Sequence, residues 1–203
     1  PQIRVLDLRG CPVSNSGVKA IATSCLYLEG LLLPVTDRIT PDSLKPVITR
    51  CQRLNTLHCG GSDAIDDEFI ECIADRGAFA AYAAWKSLHF ERCHTVTDSL
   101  LARLFGGKQC KSLEHVGIVD CSNVTDMAVI GLANATSAES TLGSVGATKA
   151  PGNQALTSVD FSGFVQLTDK GLAFTVQASP NIETIRLDGC TGLTDRGIKY
   201  LAG

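Results

Sequence analysis

The chain has 203 residues, with 18 basic and 21 acidic side chains and a formal net charge of −3. That length supports one sizeable hydrophobic core. Without a run of Lys or Arg, this near balance of charge predicts no nucleic-acid partner and no anionic membrane surface. The apolar runs are short, so no membrane-spanning segment is expected. The first residues do not have the layout of a signal peptide.

Seven units of one pattern follow each other along the chain. Each has an apolar residue, two apolar strand positions separated by one residue, and then a helix-capping residue. The units start near Ile3, Leu28, Leu54, Trp85, Leu113, Leu156 and Ile182. The alternation predicts a strand, and the later apolar spacing predicts a helix. One strand and one helix cannot bury their own apolar faces, so each unit needs its neighbours.

The two inward strand positions of each unit, and its helix cap, can be assigned in chain order. The strand pairs are Leu6/Leu8, Leu31/Leu33, Leu57/Cys59, Leu88/Phe90, Val116/Ile118, Val159/Phe161 and Ile185/Leu187. The predicted N-caps are Ser14, Thr40, Asp66, Thr97, Thr125, Thr168 and Thr194, all residue types suited to that position. In the second unit Pro46 interrupts the helical spacing, which predicts a short or irregular segment there.

The last unit shows the full pattern. Residues 182–201 read I-E-T-I-R-L-D-G-C-T-G-L-T-D-R-G-I-K-Y-L. This pattern resembles the leucine-rich repeat family, in its cysteine-containing subtype, as found in F-box proteins and in axonemal subunits. The resemblance implies an α/β solenoid shaped as a curved horseshoe, with parallel strands on the concave face and helices on the convex face.

The repeat makes residues 1–203 a single domain. Units three to five carry extra residues, all between a helix and the next strand. The largest insertion, 135–154, has no apolar period, so we expect a mobile loop that either tolerates change or binds a partner. Solenoid ends normally need polar capping units. None is visible, so we expect the chain to be a segment of a longer protein.

Nine cysteines follow the repeat rather than a disulfide framework. Most lie at predicted inward positions or at the turn from helix to strand, where Cys acts as a small buried hydrophobe. Reduced thiols predict an intracellular protein of the cytoplasm, nucleus or cilium. No C-x-x-C or H-x-x-x-H spacing occurs, and no nucleophile elbow or phosphate loop is complete. The sequence therefore predicts no enzyme, no cofactor and no metal site.

Side chains that alternate with the inward strand positions point into the concave face. The candidate protein-binding residues there are His58, His89, Glu91, His115, Val119, Asp160, Arg186 and Asp188. His58 and His89 occupy the same position on neighbouring strands, so protonation would place like charges side by side. Binding through them should change between about pH 7.5 and 5.5.

The function that these observations favour is a non-catalytic scaffold that binds other proteins through the concave strip and the 135–154 loop. Two narrower alternatives come from the family resemblance. One is the substrate-recognition domain of an F-box ubiquitin ligase subunit, which requires an F-box outside these residues. The other is a structural subunit of a large assembly such as the axoneme.

Overall fold

The computed structural model describes residues 2–61, 65–75, 83–106, 110–134 and 155–202. Strands and helices alternate through these ranges. The strands are β1 (Val5–Asp7), β2 (Gly30–Val35), β3 (Thr56–Gly60), β4 (Ser87–Glu91), β5 (His115–Val119), β6 (Ser158–Asp160) and β7 (Thr184–Arg186). The helices are α1 (Asn15–Ser24), α2 (Pro41–Arg50), α3 (Asp67–Asp75), α4 (Asp98–Gly106), α5 (Asp126–Asn134), α6 (Asp169–Ala178) and α7 (Asp195–Lys199), followed by a 3-10 turn at Tyr200–Ala202.

The seven strands form one parallel sheet whose order follows the sequence, from β1 to β7. This confirms the predicted α/β repeat solenoid. Parallel strands lie about 4.8 Å apart whereas packed helices need about 8–10 Å. The sheet therefore lies on the inner side of the curve, and its face away from the helices is called the concave face below.

No helix in the described ranges is long and apolar enough to cross a membrane.

A ladder of shared carbonyls joins each repeat to the next. The residue just before each strand accepts two backbone N–H groups from the following repeat. The acceptors are Arg4, Glu29, Asn55, Lys86, Glu114 and Thr157, with N···O distances of 2.6–3.1 Å. The step from Glu114 to Thr157 spans 43 residues and has the same geometry as the others. The stacking register is therefore independent of how many residues separate two strands.

The core lies between the sheet and the helices. Inward strand residues of β2 to β6 are almost fully buried, whereas those of β1 and β7 are half-buried because each has a neighbouring strand on one side only. Trp85, the single tryptophan, is fully buried at the start of the fourth repeat. Its indole N–H donates to the carbonyl of Ile73 at 3.2 Å, so its polar atom is satisfied inside the core.

The positions of all seven predicted N-caps are confirmed, since each helix begins one residue after its cap. The side chains of Ser14 and Thr40, however, make no capping hydrogen bond to their own helices. The structure adds a role for the first helical residue. The carboxylate of Asp126 accepts the backbone N–H and the hydroxyl of Thr168, the cap of the next repeat, at 2.8 and 2.5 Å. Asp98 and Asp169 hold the next caps in the same way. The amide of Asn15 instead accepts the backbone N–H of Thr40 at Oδ1 and donates from Nδ2 to the hydroxyl of Thr40. Each such residue therefore braces the following helix.

Three local expectations were wrong. α2 is a regular ten-residue helix despite Pro46, because Leu44, Val47 and Ile48 on its inner face are fully buried and hold it in place. Alternation along the second strand predicts that Pro34 faces outward together with Leu32. A register shift in β2 instead pairs Val35 with Gly60, and Pro34 is buried. Cys11 is exposed, although its position in the repeat predicts burial.

The other cysteines follow the repeat. Seven are buried, Cys72 is half-buried, and all nine are free thiols. Several donate to the carbonyl of the preceding repeat, as Cys190 does to Phe161 at 3.0 Å. Burial also raises the pKa of the Cys59 thiol to about 12, which leaves it protonated and unreactive. The predicted insertion 135–154 lies outside the described residues.

Replacing Asp126 tests the brace between helices. Asp126→Ala removes both acceptors for Thr168 and should lower the free energy of unfolding by about 1–2 kcal/mol. Asp126→Asn should cost clearly less, because Asn15 fills the same role for Thr40. Urea unfolding of both variants measures the difference. Equal stability of the Ala and Asn variants would show that the carboxylate does not brace the next helix.

Thiol labelling tests the burial of the cysteines. A thiol reagent should modify Cys11 quickly and Cys72 slowly in the folded protein, and the seven buried thiols should react only after unfolding. Peptide mapping of the labelled sites reads out the order. Fast labelling of Cys59 or Cys93 under native conditions, or disulfides in non-reducing maps, would contradict this arrangement.

Candidate functional site

The strand register fixes which side chains share the concave face. One central row crosses the whole sheet. It consists of Asp7, Leu32, His58, His89, Gly117, Asp160 and Arg186. Charged residues occupy both ends of this row, whereas its middle has one aliphatic residue, two imidazoles and a glycine. The predicted pairing of His58 with His89 is confirmed by the register of β3 and β4.

His58, His89 and Glu91 form a compact cluster in the middle of the sheet. The Nε2 atom of His58 lies 3.2 Å from the Oε2 atom of Glu91, and the Nε2 atom of His89 lies 4.0 Å from the same oxygen. The two imidazole centroids are 4.1 Å apart, with the rings tilted by 47°. All three side chains are partly buried, with exposed fractions of 13%, 24% and 30%. They are accessible from the groove but held against the sheet.

Gly117 provides the space for one of these rings. It faces His89 in the register of β4 and β5. A Cβ atom at Gly117 would overlap the His89 imidazole at its Nδ1 edge. The absence of a side chain there lets the ring lie over the neighbouring strand, with its Nε2 atom towards Glu91. This glycine is therefore a positioning residue for the cluster.

Burial keeps both imidazoles neutral. It lowers the pKa of His89 to about 4, and the nearby His58 adds to that effect. Burial also lowers the pKa of His58, with the Arg9 charge acting in the same direction. The contact between His58 and Glu91 is therefore a hydrogen bond to a neutral ring at pH 7, not an ion pair. Because both pKa values are lowered, the change in partner binding that the sequence predicted between about pH 7.5 and 5.5 is expected at lower pH.

Each end of the row has its own ion pair, formed with a nearby residue. Asp7 accepts from the guanidinium of Arg9 at 2.7 Å, and Arg186 lies 3.5 Å from Asp160. Burial by itself raises the pKa of Asp160, but hydrogen bonds from Ser162 outweigh it and the pKa is lowered. Asp160 therefore stays ionised beside the neutral imidazoles.

The remaining predicted residues lie around this cluster. Val119 is half-buried and pairs with Glu91 across β4 and β5. His115 is exposed in the adjacent row, in register with Ser87. Asp188 is exposed beyond the end of β7, where its backbone carbonyl accepts the N–H of Gly163. Sequence reasoning placed the two histidines side by side but missed the part played by Gly117.

Comparisons with known proteins agree with this architecture. A family model described as "Leucine Rich repeat" matches residues 2–22, within the first repeat. A chain in the crystal structure of the Rad7 and Elc1 complex from yeast superposes with a TM-score of 0.73 at 18% sequence identity. The match covers 98% of this chain and 45% of the yeast chain. This chain has the leucine-rich repeat fold. It covers less than half the length of the yeast chain that it matches.

The partly buried histidines of the concave face, and His89 above all, predict that the fold loses stability in acid. Because the pKa of His89 is lowered from 6.5 to about 4, the unfolded chain takes up the proton first as the pH falls. The stability associated with neutral His89 is therefore complete above about pH 6.5 and is lost progressively down to about pH 4. Given about 1.4 kcal/mol per pKa unit, the loss should approach 3 kcal/mol.

Urea unfolding of the parent and of His89→Gln at several pH values measures this effect. The parent should lose more stability than the variant between about pH 6.5 and 4. His115→Gln is the matched control, since His115 lies on the same sheet but is exposed. The explanation fails if His89→Gln and the parent lose stability equally across that range.

Proposed function

We propose that this repeat array is a non-catalytic module that binds another protein in its concave groove. One observation carries the proposal. The groove holds a central strip of partly exposed side chains in which Glu91 is the one carboxylate, namely Leu32, His58, His89, Glu91 and Val119, while most of the charge in the row lies at its two ends. Anchors of this kind at the centre, with a polar rim, are typical of protein interfaces.

The charged ends fit the role of a rim. Asp7 and Arg9 lie at one end, and Asp160 and Arg186 at the other, each already paired. Exposed pairs of this kind contribute little to affinity but select partners by charge. In this proposal Asp160, Arg186 and Asp188 tune specificity, whereas the central strip supplies most of the binding free energy. Protein recognition needs no reaction and no cofactor.

The yeast match supports this proposal. It is a chain in a structure of two proteins in complex, so an array of this shape takes part in a protein assembly there. A narrower form of the proposal is substrate recognition within an F-box ubiquitin ligase, as the repeat resemblance suggests. It requires the full-length protein to bind the ligase core through residues outside 1–203. The buried thiols are consistent with an intracellular site of action.

Matched lysine substitutions test the concave groove. Leu32→Lys and Val119→Lys introduce a charge into the central strip, whereas Met127→Lys does so on the exposed face of α5, where Met127 is 59% exposed. Quantitative affinity capture with the full-length protein should show partners that both groove variants lose and the Met127 variant keeps. With a purified partner, each groove substitution should weaken binding by about 30-fold or more, as expected for a central anchor. Thermal unfolding confirms that the variants are folded.

The opposite pattern would favour the alternative role. A structural subunit of a large assembly contacts its neighbours through convex faces, so its partners would be lost with Met127→Lys and kept by both groove variants. The proposal of groove binding would then be abandoned. The segment 135–154, a predicted second contact, lies outside the described residues. Deleting it in the same capture experiment shows whether it contributes a separate part of the affinity.

A further inference from the structure

We infer that His58, His89 and Glu91 form a binding site for a divalent transition-metal ion of the zinc type on the concave face. The site goes beyond the proposed function, because it can be occupied and measured on the isolated chain without any protein partner. Within the described ranges, this is the one group of three or more His, Cys, Asp or Glu side chains whose ligand atoms all lie within 4.8 Å of one another.

The distances between donor atoms fit a tetrahedral ion. Zn²⁺ binds His nitrogen and carboxylate oxygen at about 2.0–2.2 Å, which places two tetrahedral ligands about 3.3–3.5 Å apart. The Nε2 atom of His58 is 3.2 Å from the Oε2 atom of Glu91, and the Nε2 atom of His89 is 4.0 Å from it. All three donor atoms lie within 4.8 Å of one another, so side-chain rotation has to shorten the longer separations to the tetrahedral spacing.

The surroundings prepare these groups as ligands. Two neutral imidazoles and one carboxylate form a donor set that suits zinc. A His58 ring that donates to Glu91 carries its proton on Nε2, so metal binding requires the tautomer with that proton on Nδ1. Both rings are partly buried, and the His89 ring is also positioned by the space over Gly117. Less side-chain entropy is therefore lost when a metal ion binds. The charges of Asp7 and Asp160 act on these rings in the direction that favours a cation, whereas the Arg9 charge acts against it. Three protein ligands leave a coordination position on the open side of the groove.

The cluster was not expected from motif spacing, and the reason is geometric. His58 and His89 are 31 positions apart in sequence, and no H-x-x-x-H or C-x-x-C spacing marks them. The parallel register brings them together as direct partners, with Glu91 two positions after His89 on the same face. A metal site built across strands of a solenoid has the period of the repeat rather than that of a helix.

Titration with Zn²⁺ and Co²⁺ tests the inference. A Cys11→Ser background removes the exposed thiol, which is a competing ligand. Zn²⁺ should bind with a stoichiometry of one and shift the ring NMR signals of His58 and His89 only. His58→Gln and His89→Gln should each weaken binding by about 100-fold and Glu91→Gln by about tenfold or more, since even indirect partners of a metal cost that much. His94→Gln and His115→Gln are matched controls and should leave affinity unchanged.

The Co²⁺ spectrum of the unmodified cluster decides the ligand type without any substitution in it. Nitrogen and oxygen ligands give weak visible bands only, whereas thiolate ligands add a strong near-ultraviolet band. The inference is overturned by a thiolate band, by the absence of saturable Zn²⁺ binding, or by equal affinity in the His89→Gln and His115→Gln variants. If His89→Gln proves unfolded by circular dichroism, His58→Gln provides the same comparison. Loss of metal binding leaves the groove-binding experiment unaffected, so the two proposals fail separately.

Discussion

The shared carbonyl before each strand is the interaction on which the rest of the structure depends. It accepts two N–H groups from the next repeat at every junction from β1 to β7. Two short bonds to one oxygen fix both the distance and the register of successive strands before any side chain is considered. The core, the caps and the groove all inherit that register. Helix braces such as Asp126 to Thr168 then hold the other side of the array at its wider spacing.

The candidate site follows directly from this register. Side chains on a strand alternate between two faces, so a slip of one residue between β3 and β4 would turn His89 towards the core and Leu88 towards the groove. The fixed register instead places His89 against His58 and over Gly117. The imidazoles are partly buried because of their position, and their lowered pKa values follow from that burial. The electrostatics of the groove are thus a consequence of backbone stacking.

Much of the fold could be predicted because most repeat positions hold residues whose structural role depends only on the neighbouring sequence. Thr168 and Thr194 cap helices by their own chemistry, and Leu57 or Leu88 points inward by alternation alone. Pro46 and Pro34 were misjudged because neighbouring packing and a register shift override local preference. The side-chain geometry of His58, His89 and Glu91 depends on the orientation of the His89 ring over Gly117, which lies in the next repeat. No local pattern contains that information.

The buried indole of Trp85 gives this protein a built-in optical probe of its central repeats. As the single tryptophan, it dominates the intrinsic fluorescence, and it is packed in the core next to α3. In a linear array each repeat contacts only its neighbours, so the ends can fray while the centre stays folded. Fluorescence therefore follows the middle of the array, whereas circular dichroism averages over the helices of the whole chain. Where the two transitions separate, the cooperativity of the solenoid can be read without attaching any label.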